Sequence, residues 1–256
     1  DSQAERFKDA TGSNQPGDDA SDSSSPVSMR LDPAGEFAGL ERFLYPECSG
    51  PNVRNGLVTF GFKDSSYVVD TASTHVRVSG KRMDDADVIK LSLSLSLTTY
   101  VTNIDLSSNS IGKEGATALR DALSSNPRTV KLNMEHNGLG PAGLVALSSI
   151  VRVPSLQTLL LSGNRIVSIA SGSGNTDSAA NASATDLSGM VKFCAELTGP
   201  GVTLTELNLS SNNLGPDGGR LVGDMLKLNS TLVKLSLAGP DQNLGAQGVR
   251  FLSLGL

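Results

Sequence analysis

Tryptophan is absent from the 256 residues, 4% of them are aromatic, and cysteine and histidine occur twice each. A core must therefore be built from aliphatic side chains. Cys48 and Cys194 stand alone, without a CxxC pair or a cluster of cysteines, which argues against a disulfide framework and favours a reducing compartment, cytoplasmic or nuclear. His75 and His136 have no Cys or His at metal-ligand spacing, so no metal site is expected. No apolar run approaches the roughly 18 to 20 residues that span a bilayer, and no membrane segment is expected. A net charge of −5 with a pI near 5.1 leaves no broad basic field, which argues against nucleic acid as a partner. The chain opens on Asp1 with a polar stretch in which no signal or transit segment is visible. Three glycosylation sequons, at Asn181, Asn208 and Asn229, are what chance provides in a chain with 35 serines.

Leucine is what the chain has in excess. There are 35, and only four (Leu31, Leu40, Leu44 and Leu57) precede position 91, so two different regions are joined. The leucine-rich region repeats itself. Val101, Ile104, Leu106, Asn109, Ile111 and Gly112 follow the pattern LxxLxLxxNxLG. Further copies place Leu132, Met134, Asn137, Leu139 and Gly140, then Leu156, Leu159, Leu161, Asn164 and Ile166, then Leu204, Leu207, Leu209, Asn212, Leu214 and Gly215. Another begins at Leu232, Leu235 and Leu237, turns irregular from Ala238 to Asn243, and rejoins at Leu244 and Gly245. The asparagines are spaced by 28, 27 and 48 residues. The long step holds about 20 extra residues, assigned to a Ser/Gly/Ala/Asn-rich surface loop at 170–186. One period upstream, Val76, Val78, Leu91 and Leu95 fit a degenerate first copy, for six in all.

Each copy carries two periods. The LxL core alternates as a short strand does, whereas Leu119 and Leu123, Leu147 and Val151, and Val222 and Leu226 keep helical spacing. A unit of strand, turn and helix cannot bury its apolar face alone, so copies must stack, with strands in a parallel sheet on the concave side and helices on the convex side. The Asn amide is suited to backbone groups left unpaired where each strand bends. With these motifs the segment 73–256 resembles leucine-rich-repeat proteins of the ribonuclease-inhibitor type. The resemblance implies an α/β fold, a right-handed β/α solenoid of about six repeats, and a surface that holds another protein. Repeats of this type occur in ribonuclease inhibitor, Ran GTPase activators, innate immune sensors and leucine-rich subunits of ciliary and flagellar axonemes. By analogy the chain is expected to be a non-catalytic scaffold subunit of a multi-protein complex, with a cytoskeletal or axonemal setting as the finer reading. A small-GTPase regulator is the alternative, although the strongly acidic C-terminal segment of the Ran activators has no counterpart in this sequence.

Outside the repeats, residues 1–35 form a polar low-complexity tail expected to be disordered in isolation. Residues 36–72 suggest a cap for the first repeat, with a short helix carrying Phe37, Leu40, Phe43 and Leu44, then a strand pair built on Val58, Phe60, Phe62, Tyr67 and Val69. At the other end Leu252, Leu254 and Leu256 lie in the last helical segment with no polar cap after them. The expectation there is further chain or a partner over that edge.

Little in the sequence points to catalysis. Gly138, Gly140 and Gly143 match GxGxxG between a strand and a helix, but Gly112 with Gly115, and Gly215 with Gly218, recur in the same places, so the glycines belong to the repeat turn. Gly112-Lys113 is followed by Glu114 where a phosphate loop needs Ser or Thr. No enzyme activity, cofactor or small-molecule substrate is expected. Function should lie on the concave strand positions, where alternation sends the residues between core leucines outward. The candidate contact residues there are His75, Arg77, Asn103, Asp105, Lys131, Asn133, Glu135, Glu206, Asn208 and Lys234. They are small, polar and mixed in sign, and Arg77 alone belongs to the residue types that dominate protein hot spots.

Overall fold

A computed structural model describes residues 52–54, 57–62, 65–70, 74–97, 100–169 and 185–256. The polar tail, the expected helix at 36–45, Cys48 and residues 170–184 of the insertion lie outside the described residues. The chain divides into Asp1–Phe37 and Ala38–Leu256, and the description concerns the second unit.

Three antiparallel strands come first, β1 (Asn52–Arg54), β2 (Leu57–Phe62) and β3 (Ser65–Asp70), with Phe60 opposite Tyr67 in the register. Strand β1 adds to the pair read from sequence, by pairing along β2 with Val53 opposite Val58.

The repeats follow as β4 (His75–Arg77), α1 (Asp85–Leu97), β5 (Asn103–Asp105), α2 (Lys113–Ser124), β6 (Lys131–Asn133), α3 (Gly140–Leu147) and β7 (Thr158–Leu160). A small pair, β8 (Ser168–Ile169) and β9 (Thr185–Asp186), precedes α4 (Ser188–Leu197), β10 (Glu206–Asn208), α5 (Gly215–Leu226), β11 (Lys234–Ser236) and α6 (Gly245–Ser253). Strands β4, β5, β6, β7, β10 and β11 form one parallel six-stranded sheet in chain order, each connected to the next through a helix. This is the β/α solenoid that the repeat implies.

Each strand spans only three residues, because one inward side chain between two outward ones completes a layer. Ile104, Leu132, Leu159 and Leu207 are the inward ones of the four inner strands, all at most 1% exposed. The helices supply the opposing side of each layer, as Leu119 and Leu123 of α2 do, both fully buried. Phe193 of α4 is the aromatic side chain buried in this aliphatic stack.

Helix starts show why particular residues recur. Gly140, Gly215 and Gly245 take φ of +59°, +63° and +60°, a conformation that costs a side-chain-bearing residue energy, and Pro141 and Pro216 follow in the first turn of their helices. The third helix is short. After Leu147 it tightens into a 3₁₀ turn, Ser148–Arg152, and Val153 is extended at ψ 118°, as the residue before a proline (here Pro154) prefers. The Leu147 and Val151 spacing therefore spans a change of helix type.

The insertion leaves and re-enters at neighbouring points. Ser168 pairs with Asp186 and Ile169 with Thr185, so the stems of the extra segment are clipped together before α4 begins.

Candidate functional site

Two sets of polar side chains recur through the stack, one inside it and one on the strand face. The inner set is the asparagine ladder. Asn137 Nδ2 donates to the carbonyls of Leu106 and Met134, both at 3.0 Å, while its Oδ1 accepts from Ile111 N at 3.1 Å. Asn212 Nδ2 donates to Leu161 O and Leu209 O at 2.8 and 3.0 Å, and its Oδ1 accepts from Asn164 N at 2.8 Å. Asn109 makes the same kind of bridge back to Lys81, Met83 and Val78. These amides satisfy buried backbone groups of their own and the preceding repeat.

The irregular last repeat hides another member of this ladder. Gln242 is buried, its Oε1 accepts from Asn212 N at 2.8 Å, and its Nε2 donates to Leu209 O at 2.9 Å. The spacing from Asn212 is 30, two beyond the usual period, and the 3₁₀ turn Pro240–Gln242 carries the excess. A side chain longer by one methylene reaches the same backbone groups.

A second connection that the sequence pattern did not single out runs from Asp85 of α1. Its Oδ1 accepts from Gly112 N at 2.6 Å, which places a carboxylate at the start of α2, where Gly112 offers no side-chain cap. A Cβ on Gly115 would lie 2.7 Å from that oxygen, so this glycine makes room for the neighbouring repeat's acid. Gly143 and Gly218 are packed likewise, against Leu139 and Leu214. In the GxGxxG segment, Gly143 is thus packed against the stack's own Leu139 side chain, while Gly140 holds the positive φ of the turn.

On the strand face the register aligns the candidate residues in rows. His75, Asn103, Lys131, Thr158, Glu206 and Lys234 are successive neighbours, and so are Arg77, Asp105, Asn133, Leu160, Asn208 and Ser236. Glu135 follows two residues after the end of β6. Its Oε1 accepts from Asn208 Nδ2 at 2.7 Å, reaching past the intervening repeat.

Three members of the second row also shape their own strand ends. Asp105 Oδ1 accepts from Ser107 N, Asn133 Oδ1 from Glu135 N and Asn208 Oδ1 from Ser210 N, at 3.0 to 3.1 Å. Such bonds two residues along turn the chain out of the strand. The next residues, Ser108, His136 and Ser211, then take positive φ of 57°, 53° and 54°.

Charge is distributed unevenly along the face. Towards its C-terminal end Lys234 Nζ and Glu206 Oε1 are 2.5 Å apart. The hydrogen bond from Lys234 holds the Glu206 carboxyl below its ordinary pKa, with Lys131 and Thr158 adding to the effect. At the N-terminal end, Arg77 and Lys131 are exposed and form no ion pair among the described residues. His75 Nδ1 lies 2.8 Å from Thr74 Oγ1 and its Nε2 lies 3.0 Å from Asn103 Nδ2. Between these side chains is an open hollow of about 260 Å³ lined by His75, Arg77, Asn103, Asp105, Lys131 and Asn133, with Val76 and Ile104 at its floor.

Other side chains with chemical potential are occupied or enclosed. Cys194 is a buried free thiol whose pKa burial pushes up to about 12, which makes it a weak nucleophile. Asn229 sits in a sequon, yet its Nδ2 donates to Leu197 O at 2.8 Å and its Oδ1 accepts from Thr231 N and Leu232 N. Among the described residues no group of His, Cys, Asp or Glu is arranged to hold a metal ion, and no helix is long and apolar enough to cross a membrane.

The family model of the leucine-rich repeat matches at residues 99–119, 127–148 and 202–223, which cover β5, β6 and β10 with the turns and helices that follow them. With the six-stranded stack and its amide ladder, this makes the chain a leucine-rich-repeat protein. It is similar to Tonsoku-like protein of Mus musculus, 35% identical over 95 residues, which are 36% of this chain and 7% of that much longer protein. Among solved structures it is similar to leiomodin-1 actin-binding site 2, at 17% identity and a TM-score of 0.38, over 71% of this chain and 80% of that one. At that TM-score the two backbones superpose too loosely to bear on function.

Proposed function

We propose that the chain is a non-catalytic, protein-binding subunit of a larger assembly and that its strand face is the contact surface. Leucine-rich repeats are protein-binding scaffolds as a class, and the observation that carries the assignment to this face is the register. Six strands side by side present an open polar strip about 24 Å wide at the usual strand spacing. That is the breadth of a protein partner's footprint rather than of a small molecule. The ten residues His75, Arg77, Asn103, Asp105, Lys131, Asn133, Glu135, Glu206, Asn208 and Lys234 are its contact set. In the same reading the antiparallel strands β1–β3 close the first repeat, beside which β2 lies against α1. The finer setting we favour is a cytoplasmic, cytoskeletal assembly of the ciliary or flagellar kind, supported by the occurrence of this repeat type in axonemal subunits.

The test is affinity capture with quantitative mass spectrometry on the full chain and on a variant with Arg77, Asn103, Lys131, Glu206 and Lys234 all changed to Ala. These side chains are outside the core, so each change should alter stability by no more than about 0.5 kcal/mol. Loss of the captured partners by a folded variant supports the strand face, and an unchanged partner set overturns it. Tubulin or dynein-regulatory components among the lost partners favour the axonemal setting, whereas a nucleotide-dependent GTPase overturns it.

A further inference from the structure

The uneven pairing of charge on the strand face deepens the proposed function, on which this inference rests. Arg77 stands beside Asp105 in the register, and the two carry opposite charge, yet they form no ion pair. Asp105 Oδ1 is instead held by its own strand end, accepting from Ser107 Oγ at 2.7 Å and Ser107 N at 3.1 Å. Lys131 is in a comparable position. Glu206, whose carboxyl pKa it helps to lower from a distance, is two strands away and bonded to Lys234 at 2.5 Å. Asn133 spends its Oδ1 on Glu135 N, which leaves its amide Nδ2 as a further donor in the same hollow.

The hollow therefore sets two cations without an ion pair, Arg77 and Lys131, against the one carboxylate of Asp105, in a chain whose overall charge is −5. About 260 Å³ is below the usual range for a small-molecule site and suits one or two side chains of a partner. We infer that this hollow receives an acidic side chain, Asp or Glu, from a protein partner, with its carboxylate between Arg77 and Lys131. A guanidinium presents paired donors that match a planar carboxylate, and Lys131 adds a point charge. A phosphate dianion fits less well, because Asp105 lies inside the same hollow and repels the second charge. The remainder of the face, where Lys234 is paired with Glu206 and Glu135 accepts from Asn208, contributes area without a comparable cationic anchor. An acidic residue would thus fix the partner's register along the sheet.

The test is a titration of the isotope-labelled full chain, followed by its amide resonances, with N-acetylated, C-amidated tetraglutamate, tetralysine and inorganic phosphate. At about 10 mM ionic strength, where charges are felt over roughly 30 Å, tetraglutamate should shift amides of β4, β5 and β6 and leave β10 and β11 unmoved. The double variant Arg77→Gln with Lys131→Gln should weaken that binding at least about tenfold, equivalent to roughly 1.4 kcal/mol, while Lys234→Gln should leave it within about twofold. Shifts elsewhere, equal binding by the double variant, or tighter binding of phosphate at the same amides overturns the inference. If tetraglutamate fails while the captured partners still depend on the strand face, the acidic anchor falls and the broader function stands. If tetraglutamate binds as described while the five-alanine variant keeps its partners, the hollow binds carboxylate that no partner supplies, and the anchor falls together with the broader function.

Discussion

Leu207 and Leu235 occupy the same place in neighbouring repeats, and one is fully buried while the other is only partly so. The same holds for Leu204 against Leu232, Leu209 against Leu237 and Leu214 against Leu244. The side chains are identical, so the difference comes from what stands beside them. Inner layers are covered on both sides, whereas β11 is a sheet edge and its layer is covered on one. A solenoid residue owes its burial to two neighbours, and a motif read in isolation does not report how many it has.

The largest expected effect tests that difference directly. Leu207→Ala should cost about 3 to 5 kcal/mol and Leu235→Ala clearly less, about 1 to 2 kcal/mol, by chemical denaturation; equal costs would show that the edge layer is as well packed as the inner one. The amides come next. Asn212→Ala removes partners from buried groups in two repeats and should cost about 2 to 4 kcal/mol, against about 1 to 2 kcal/mol for Gln242→Ala, which serves only the last junction. A larger loss at Gln242 would reverse the assigned order.

Smaller effects sharpen the comparison at the turn and at the surface. Ser211 holds a positive φ of 54° at the junction with the last repeat, so Ser211→Gly should raise stability by about 0.5 kcal/mol through relief of that strain. The smallest effect concerns the pair Glu206 and Lys234, which ties β10 to the edge strand. The Glu206 carboxyl has a folded-state pKa below its ordinary value, so its stabilising contribution is present above the ordinary carboxylate range and is lost as pH falls through the lowered pKa. Lys234→Ala should return the Glu206 pKa upward in a carboxyl-carbon titration and flatten that acid-side loss; an unmoved pKa would remove Lys234 as its main cause.

Much of this architecture can be read from spacing. Asn109, Asn137, Asn164 and Asn212 mark the layers, and the 28-residue step predicts which strand residues become neighbours, as His75 with Asn103 or Glu206 with Lys234. Gln242 escapes that reading because two additional residues displace it from the period and its type differs from Asn. The bond of Asp85 to Gly112 depends on how one helix lies against the next, and the reach of Asn208 to Glu135 crosses 73 residues of chain. The strand-face residues were legible as positions, but their charge pairing was not. Asp105 is committed to Ser107 by a local turn that alternation alone does not reveal.

The clip between β8 and β9 makes the fourth repeat a natural grafting point. Because Ser168 is paired with Asp186 and Ile169 with Thr185, the two stems of the extra segment stand side by side. Lengthening what lies between them adds only a slowly growing closure cost, about 0.6 kcal/mol per doubling. A fluorescent or affinity module placed between those stems would be displayed without disturbing the register of the six-stranded sheet, giving a reporter that reads the assembled solenoid from its side.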